Sequence, residues 1–361
     1  MRTIRDIPDL TDTTVLLRAD LDVPVDESGK ITEEYRIIKQ VENLEHLLSR
    51  GARVIMVAHN SDPHAVSFRE LVPQLKRLFG RELAFLPDIR DIRTVAGGHG
   101  SLYLLDNIRR WPEEERNDAA FASELANGFD VYVNNAFAVS HREHASVSAI
   151  AMILPSYAGL LVEQEVRNLE KAIDAPAEGK VIVMGGAKAS TKVPVIDNLI
   201  EKAEHVLVGG VVAIDVMQAL GQDIGTSRVD DNVEQLLESL DVRDERLHVP
   251  GDSVREGTAI MDIGPDAAEQ YRSIISAASM IVWNGPMGVF EDERYAAGTR
   301  AIADAVVDSD CFSLIGGGDT IAAVNQFGLL ERFGHVSTGG GAMLAFLAGH
   351  QLPGLVSLGA Q

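Results

Sequence analysis

Short runs of Val, Ile and Leu alternate with amphipathic stretches from one end of this chain to the other, and that alternation constrains the fold more than any other feature. TTVLLRADLDV, ARVIMVAH, LAFLPD, SLYLLDN and FDVYVNNA have strand character in the first half; KVIVMGG, HVLVGG, MIVWNGP, CFSLIGG and HVSTGG have it in the second. Between them, Ile37, Val41, Leu44 and Leu48 fall on one helical face, as do Ile196, Leu199, Ile200 and Ala203. Asn117 ahead of DAAFASELA with Gly128 behind it, Pro194 ahead of VIDNLIEKA and Pro265 ahead of DAAEQYRSII mark helix ends. Strand–helix alternation of this kind predicts an α/β protein whose mostly parallel sheets are covered on both faces. With 361 residues, 46% of them hydrophobic, the chain is long enough for two such domains. The charged stretch 160–179, LLVEQEVRNLEKAIDAPAEG, is the natural connecting helix. The last residues, LPGLVSLGAQ, are too few for an element of their own.

Charge and cysteine usage narrow the function classes. The formal net charge is −22, a field that repels phosphate backbones, so nucleic acid is not an expected partner. One cysteine excludes a disulfide framework, and Cys311 in DCFSLI reads as a small core residue of a buried strand. The start, MRTIRDIPDL, has no apolar signal region, and AIAMILPSYAGLLV (149–162) is short and interrupted by Pro155, so no membrane span and a cytoplasmic location are expected. Lysine is scarce, 8 against 24 arginines with none after Lys202, which makes the pair Lys188 and Lys192 in GGAKASTK conspicuous.

Three predicted strands of the second half run straight into glycines. SLIGGGDT (313–320), HVSTGGGA (335–342) and GGAKASTK each bring bare backbone to a strand end before a helix. There, N–H groups approach phosphate oxygens closely and the helix dipole favours the anion. A single cluster is more often a tight turn; three in one half, with two ammonium groups and the carboxylate of Asp319 for Mg²⁺, predict phosphate binding. Neither a Walker A motif nor a GxGxxG fingerprint is present. The first half instead places Arg18, Arg36, His59, Arg109, His141 and Arg142 near element ends. Singly these would be solvated or paired; together they predict an anion pocket of planar donors. HREH (141–144) spaces two histidines for a metal, but no third ligand is evident nearby.

GGAKASTK, WNGPMGVFE (283–291), IGGGDT and HVSTGGGA, in this order and spacing, resemble phosphoglycerate kinase, as do RADLDVP (18–24), DNIR (106–109) and NNAFAVSHREHAS (134–146). SDCFSLIGGGDT and FEDERYAAGT give the resemblance an archaeal cast. It covers essentially the whole chain. It implies two Rossmann-like domains facing each other across a hinged cleft: an acceptor domain over 1–159 to which a tail, 345–361, returns, and a nucleotide domain over 180–344. It implies a monomeric kinase that transfers a phosphoryl group between the acyl phosphate of 1,3-bisphosphoglycerate and ADP, with Mg²⁺ and small-molecule substrates. Carried over by motif, Lys188, Lys192, Asn284, Pro286, Glu291, Gly317, Gly318, Asp319 and Thr320 would hold the nucleotide, Asp319 on the metal side. Asp20, Asp22, Arg36, His59, Asp62, Arg109 and Arg142 would form the 3-phosphoglycerate side. Arg36 and Lys188, with the backbone of Gly339, Gly340 and Gly341, would surround the phosphoryl group in flight, a loose and highly charged transition state that needs cations and N–H donors.

The departures from the family pattern cluster in the acceptor half. DFNVP is DLDVP, so Asp22 replaces an amide; SHLGRP is AHNSDP (58–63), so Asp62 replaces an arginine; and NDAFG is NNAFA, with Asn135 and Ala138. In the other half Thr191 stands where GGAKxxDK has an acid, Val211 stands for a glycine, and the chain is shortened between Gly225 and Asp262. Three readings follow: a phosphoglycerate kinase, a paralogue acting on a different small acid or phosphorylated metabolite, or a silent nucleotide-binding protein. Retention of Arg36, Lys188, Asp319 and both GGG loops argues against the last. In the second reading, Asp22 and Asp62 recognise hydroxyl or ammonium groups; in the first, a neighbour such as Arg110 takes over the phosphate contact.

Overall fold

Apolar runs without polar alternation belong in sheets covered on both faces, and the computed structural model, which describes residues 1–95, 98–231, 233 and 238–359, contains two. The chain divides into two compact units, one formed by Met1–Val166 with the segment from Gln351 onward, the other by Arg167–His350. The division falls inside the helix Leu160–Asp174.

In the first unit, β1 (Thr14–Arg18), β2 (Arg53–Val57), β3 (Ala84–Leu86), β4 (Leu102–Leu105), β5 (Val131–Asn134) and β6 (Ser156–Ala158) form one parallel sheet ordered β3-β4-β2-β1-β5-β6. Val15 pairs in register with Val54 on one side and Val131 on the other, and all three are buried. The chain leaves β1 toward β2, β3 and β4, then reverses to β5, so the strand order switches beside β1. Ligands of open parallel sheets bind beyond the carboxyl ends at such a point.

The second unit repeats the plan. Here β7 (Lys180–Met184), β8 (His205–Val208), β9 (Leu247–His248), β12 (Met280–Asn284), β13 (Phe312–Gly316) and β14 (His335–Ser337) are ordered β14-β13-β12-β7-β8-β9, again all parallel, with the switch between β7 and β12. Between β9 and β12 the chain forms an antiparallel hairpin, β10 (Ser253–Glu256) with β11 (Ala259–Ile263).

Several local expectations are corrected. The face drawn through Ile37, Val41, Leu44 and Leu48 spans two helices, Tyr35–Ile38 and Val41–Ser49. The break sits at Gln40, whose buried amide donates to Arg36 O and accepts from Asn135 Nδ2 at 2.9 Å. The helix Ala119–Leu125 is capped by Asp118, whose carboxylate accepts from Phe121 N, while Asn117 takes a positive φ of 52°. Ala203 lies beyond the helix Val193–Leu199, after a 3-10 turn. Cys311 precedes β13 and is only half-buried, against Ser309. The C-terminal residues do form an element, the short helix Pro353–Val356. It packs on the loop after β5, with Gly354 N donating to Ser140 O at 2.8 Å.

Candidate active site

In the first unit, the chain just past β1, β2, β4 and β5 brings the basic side chains together. Arg18, the last residue of β1, is 1% exposed, and a guanidinium there must be matched bond for bond. It donates through Nε to Ser146 Oγ (2.9 Å) and through Nη1 to Ala19 O (2.7 Å), and Nη2 lies 3.2 Å from His59 Nδ1. Guanidinium has no acceptor, so His59 Nδ1 must accept and the ring proton sits on Nε2, 3.5 Å from Asp22 Oδ2. Burial takes the His59 ring down to about 4 despite the pull of Asp22, with Arg18 adding to the shift. Burial works against ionisation of Asp22, but bonds from His59 and from Ser61 hold its carboxyl well below the usual range. Asp20, also 1% exposed, accepts from Asp22 N, and its Oδ2 lies 3.6 Å from Arg36 Nη1. Arg36 donates to Asp22 O as well, at 3.3 Å.

Arg109 and Arg142 complete the basic group. Burial, followed by the neighbouring Arg142, pushes Arg109 below its ordinary value; Glu115 lies 3.3 Å from Nε, but Arg109 Nε and Nη2 are buried without a hydrogen-bond partner among the described residues. Arg142 Nε donates to His141 Nε2 at 3.4 Å. Burial and then Arg109, Arg142 and Arg18 hold His144 at about 4. The counter-charge at the base is Glu114, fully buried, which accepts from Ser146 N (2.8 Å) and Oγ (2.6 Å) and lies 3.8 Å from His144 Nδ1. Glu114 and Ser146 escaped sequence reasoning because EEE in WPEEERN has the look of a solvated run.

The side chains of Asp62 and Arg110 are engaged by their own surroundings. Asp62 uses its carboxylate on the loop itself, accepting from Val25 N at 3.0 Å and His64 N at 2.8 Å. Arg110 pairs with Asp106, which also accepts from Ser67 and Phe68 N. Arg110 therefore does not join Arg18, Arg109 and Arg142.

In the second unit, glycines let three strand ends close on one another at the switch point. Gly185 N donates to Asn284 O (2.9 Å), Gly186 N to Pro286 O (2.8 Å) and Gly210 N to Met287 O (2.9 Å). A Cβ on Gly185 would stand 2.2 Å from Pro286 O, so only glycine fits there. Asn284 Nδ2 bonds Gly316 O (2.7 Å), and Thr320 Oγ1 accepts from Gly285 N (2.7 Å), tying β12 to β13 and to the helix Gly318–Gln326. Gly317 caps that helix with φ 98°, and Asp319 stands exposed in its first turn. Gly340, at φ 49° between buried Gly339 and exposed Gly341, opens the helix Gly341–Leu347. Lys188 is exposed and Lys192 half-buried; burial lowers the Lys192 ammonium, opposed by Asp319 and assisted by Lys188.

Beside this cluster lies a cavity of about 440 Å³, walled chiefly by Val211, Ile214, Met217, Met261 and Val289, with Glu291 and Asp319 at its polar edge. An apolar slot edged by the glycine backbone of Gly186 and Gly210 and by an exposed carboxylate suits a planar base with a polyphosphate tail. Of the expected nucleotide residues, Pro286, Glu291 and Asp319 line this cavity, Asn284 and Thr320 bond the adjoining strand ends, and Lys192 lies near Gly186 at its margin, while Asp20, Asp22, Arg36, His59, Arg109 and Arg142 form the group in the other unit.

Comparison with known proteins agrees along the whole length. The family described as Phosphoglycerate kinase matches residues 4–350. The phosphoglycerate kinase of Herpetosiphon aurantiacus is 38% identical over 389 residues, covering 99% of this chain and 98% of that protein. That of Thermomicrobium roseum is 39% identical over 393 residues, covering 99% of each. The crystal structure of phosphoglycerate kinase from Pyrococcus horikoshii superposes with a TM-score of 0.89 at 32% identity, over 99% of this chain and 98% of that one.

Proposed function

The chain belongs to the phosphoglycerate kinase family and catalyses phosphoryl transfer between 1,3-bisphosphoglycerate and ADP, and from that premise we propose which residues carry each half of the reaction. The first unit holds 3-phosphoglycerate, with Arg109 and Arg142 on its phosphate, His59 beside them, and Arg36, steadied by Asp20 and Asp22, at the carboxylate that exchanges the phosphoryl group. The observation that carries this is Arg109, of which Nε and Nη2 are buried without a hydrogen-bond partner among the described residues and only Glu115, 3.3 Å from Nε, offers a counter-charge. A buried guanidinium left open in this way is costly unless an anion completes it.

The second unit holds the nucleotide. The base lies in the apolar cavity, Glu291 meets the ribose, and the phosphates run along the backbone of Gly317 and Gly318 with Thr320 behind. Lys192 neutralises the chain of phosphates, and Lys188 with Gly339, Gly340 and Gly341 faces the phosphoryl group as it moves. Mg²⁺ fits Asp319: this ion is usually held by one or two carboxylates together with substrate phosphates, and Asp319 is one exposed carboxylate beside the phosphate loops. When bound, the ion supplies charge neutralisation to the phosphates. None of the chain's groups need act as nucleophile or base, because the substrate carboxylate attacks and ADP leaves.

Asp62 is better understood here as a brace for the 23–25 segment than as a contact for substrate, given its two backbone bonds. No helix among the described residues is long and apolar enough to cross a membrane. A monomer working in the cytoplasm, without nucleic acid, is the reading that the charge of −22 and the single cysteine favour. The test is steady-state kinetics with 3-phosphoglycerate and Mg-ATP on Arg109→Ala. Loss of Arg109 is expected to raise the 3-phosphoglycerate KM about tenfold or more while leaving that of Mg-ATP near its starting value. Unchanged 3-phosphoglycerate kinetics would remove Arg109 from the acceptor site.

A further inference from the structure

Lys188 and Lys192 flank one 3-10 turn, Ala189–Thr191, and such a turn keeps its shape only when its leading N–H groups find acceptors. Neither flank supplies one. Lys188, at the cap position, makes no side-chain capping bond, and Thr191 Oγ1 turns back to donate to Lys188 O at 3.0 Å. Where the family pattern has an acid inside this loop, the acid here comes from 40 residues further along: Asp230 Oδ2 accepts from Ser190 N at 3.0 Å. The same carboxylate favours the charged form of Lys192.

Asp230 is itself fixed in place. Its N–H donates at 3.0 Å to Oδ1 of Asp215, which is 0% exposed on the helix Gly210–Ala219. The second oxygen of Asp215, Oδ2, is buried with no partner among the described residues. A buried carboxylate with one oxygen unsatisfied is destabilising, and the bond that Oδ1 accepts from Asp230 N offsets part of that cost. Continuous bonding runs from the helix Gly210–Ala219 through Asp215 and Asp230 to Ser190, between the two lysines.

Resting on the assignment of Lys188 and Lys192 to the phosphates, we propose that Asp230, anchored by Asp215, is a positioning residue for both lysines and thereby for the transfer step. It touches neither nucleotide nor acceptor; it holds the turn from which the two ammonium groups project.

The test compares Asp230→Ala, Asp230→Asn and Lys188→Ala in the full chain, each first verified as folded by its thermal melt. In Asp230→Ala, kcat is expected to fall about five- to tenfold and the Mg-ATP KM to rise, the scale of losing a cap at a working loop. The 3-phosphoglycerate KM is expected to stay within about twofold, because the turn belongs to the nucleotide unit. Asp230→Asn keeps an acceptor for Ser190 N and is expected to restore kcat to within about threefold. The relay is overturned if Asp230→Ala leaves all constants unchanged, if both substrates' KM values move together, or if Asn rescues nothing. Lys188→Ala separates the two levels: if it too leaves kcat intact, the assignment of the lysine has failed, whereas a crippled Lys188→Ala beside a normal Asp230→Ala overturns only the relay.

Discussion

Charge on the moving phosphoryl group is greatest at the transition state, so a cation placed there accelerates the reaction more than it tightens ground-state binding. Lys188→Ala and Arg36→Ala are accordingly expected to lower kcat by about 100-fold or more, with changes of only a few-fold in KM. Asp319→Asn should instead weaken the Mg-nucleotide complex, which calorimetry with Mg-ADP measures directly. Comparable mild effects at all three positions would show that the roles are misassigned. Asp22 offers a different contrast. Its Oδ2 lies 3.5 Å from His59 and 4.0 Å from Arg36, two groups assigned to the acceptor. One unit charge roughly 6 Å from a phosphate is worth about 3 kcal/mol at an effective dielectric near 20. Asp22→Asn keeps an acceptor for Ser61 N while removing that charge; Arg36 and His59 lose an anionic partner, which offsets part of the gain, so the 3-phosphoglycerate KM should fall several-fold rather than by the roughly hundredfold that the charge alone implies. Asp62→Arg should lower the Tm without matching that gain, since it strips the acceptors from Val25 N and His64 N. The sequence exposed Asp22 and Asp62 as equivalent-looking departures. Only the direction of each carboxylate, one toward His59 and one into its own loop, distinguishes them, and direction is a property of tertiary packing.

At the scale of elements, ten strands were legible because strongly apolar runs ending in turn or glycine residues have no other use in a chain of this kind. β6 was hidden inside a greasy stretch cut by Pro155, and β9 has only two residues, too short to show a pattern. The hairpin β10–β11 is half-exposed and carries charge, so it lacked the apolar run that revealed the parallel strands. The C-terminal helix was missed for a related reason: its four residues are held by what they pack against. A Cβ on Gly354 would stand 2.8 Å from Val147 Cγ1 and 2.9 Å from Ser140 Cα. Gly354→Ala should therefore cost about 1–3 kcal/mol of stability, and it should also raise the 3-phosphoglycerate KM, because the displaced loop carries Arg142. A lower Tm with unchanged KM would separate the helix from the site. His144, on the same loop, links the element to pH. Its folded value is lowered from 6.5 to about 4 by burial and then by three arginines, so the unfolded chain takes up that proton first. Its contribution to stability is present above pH 6.5 and is lost as pH falls toward 4. Melts of His144→Gln should lose less Tm over that interval than the parent; an unaltered slope would mean the ring is not held neutral in the folded state.

For the molecule as a whole, the two-domain α/β plan could be read from strand–helix alternation together with chain length and the charged connecting stretch 160–179, but what the plan demands of the reaction follows from where the charges lie. Arg36, Arg109 and Arg142 belong to the first unit; Lys188, Lys192 and Asp319 belong to the second. Phosphoryl transfer needs donor and acceptor oxygens roughly in line within about 3–3.5 Å, shielded from water that would hydrolyse the acyl phosphate. A single ligand completes only one of the two charge sets, and the chain's −22 opposes drawing acidic surfaces together. Both ligands together are expected to add contacts that offset that repulsion, because transfer requires the reacting end of each to meet cations carried by the other unit. Small-angle scattering should therefore show a reduced radius of gyration with 3-phosphoglycerate and Mg-ADP together, and little change with either alone. Raising ionic strength should enlarge the contraction as surface repulsion is screened, until it begins to weaken the ligands' own binding. Lys188→Ala, which removes a cation needed on the nucleotide side, should contract less at the same saturation. Scattering curves that coincide in all three ligand states would mean that transfer proceeds without closure, and the division of labour between units proposed here would fail with it.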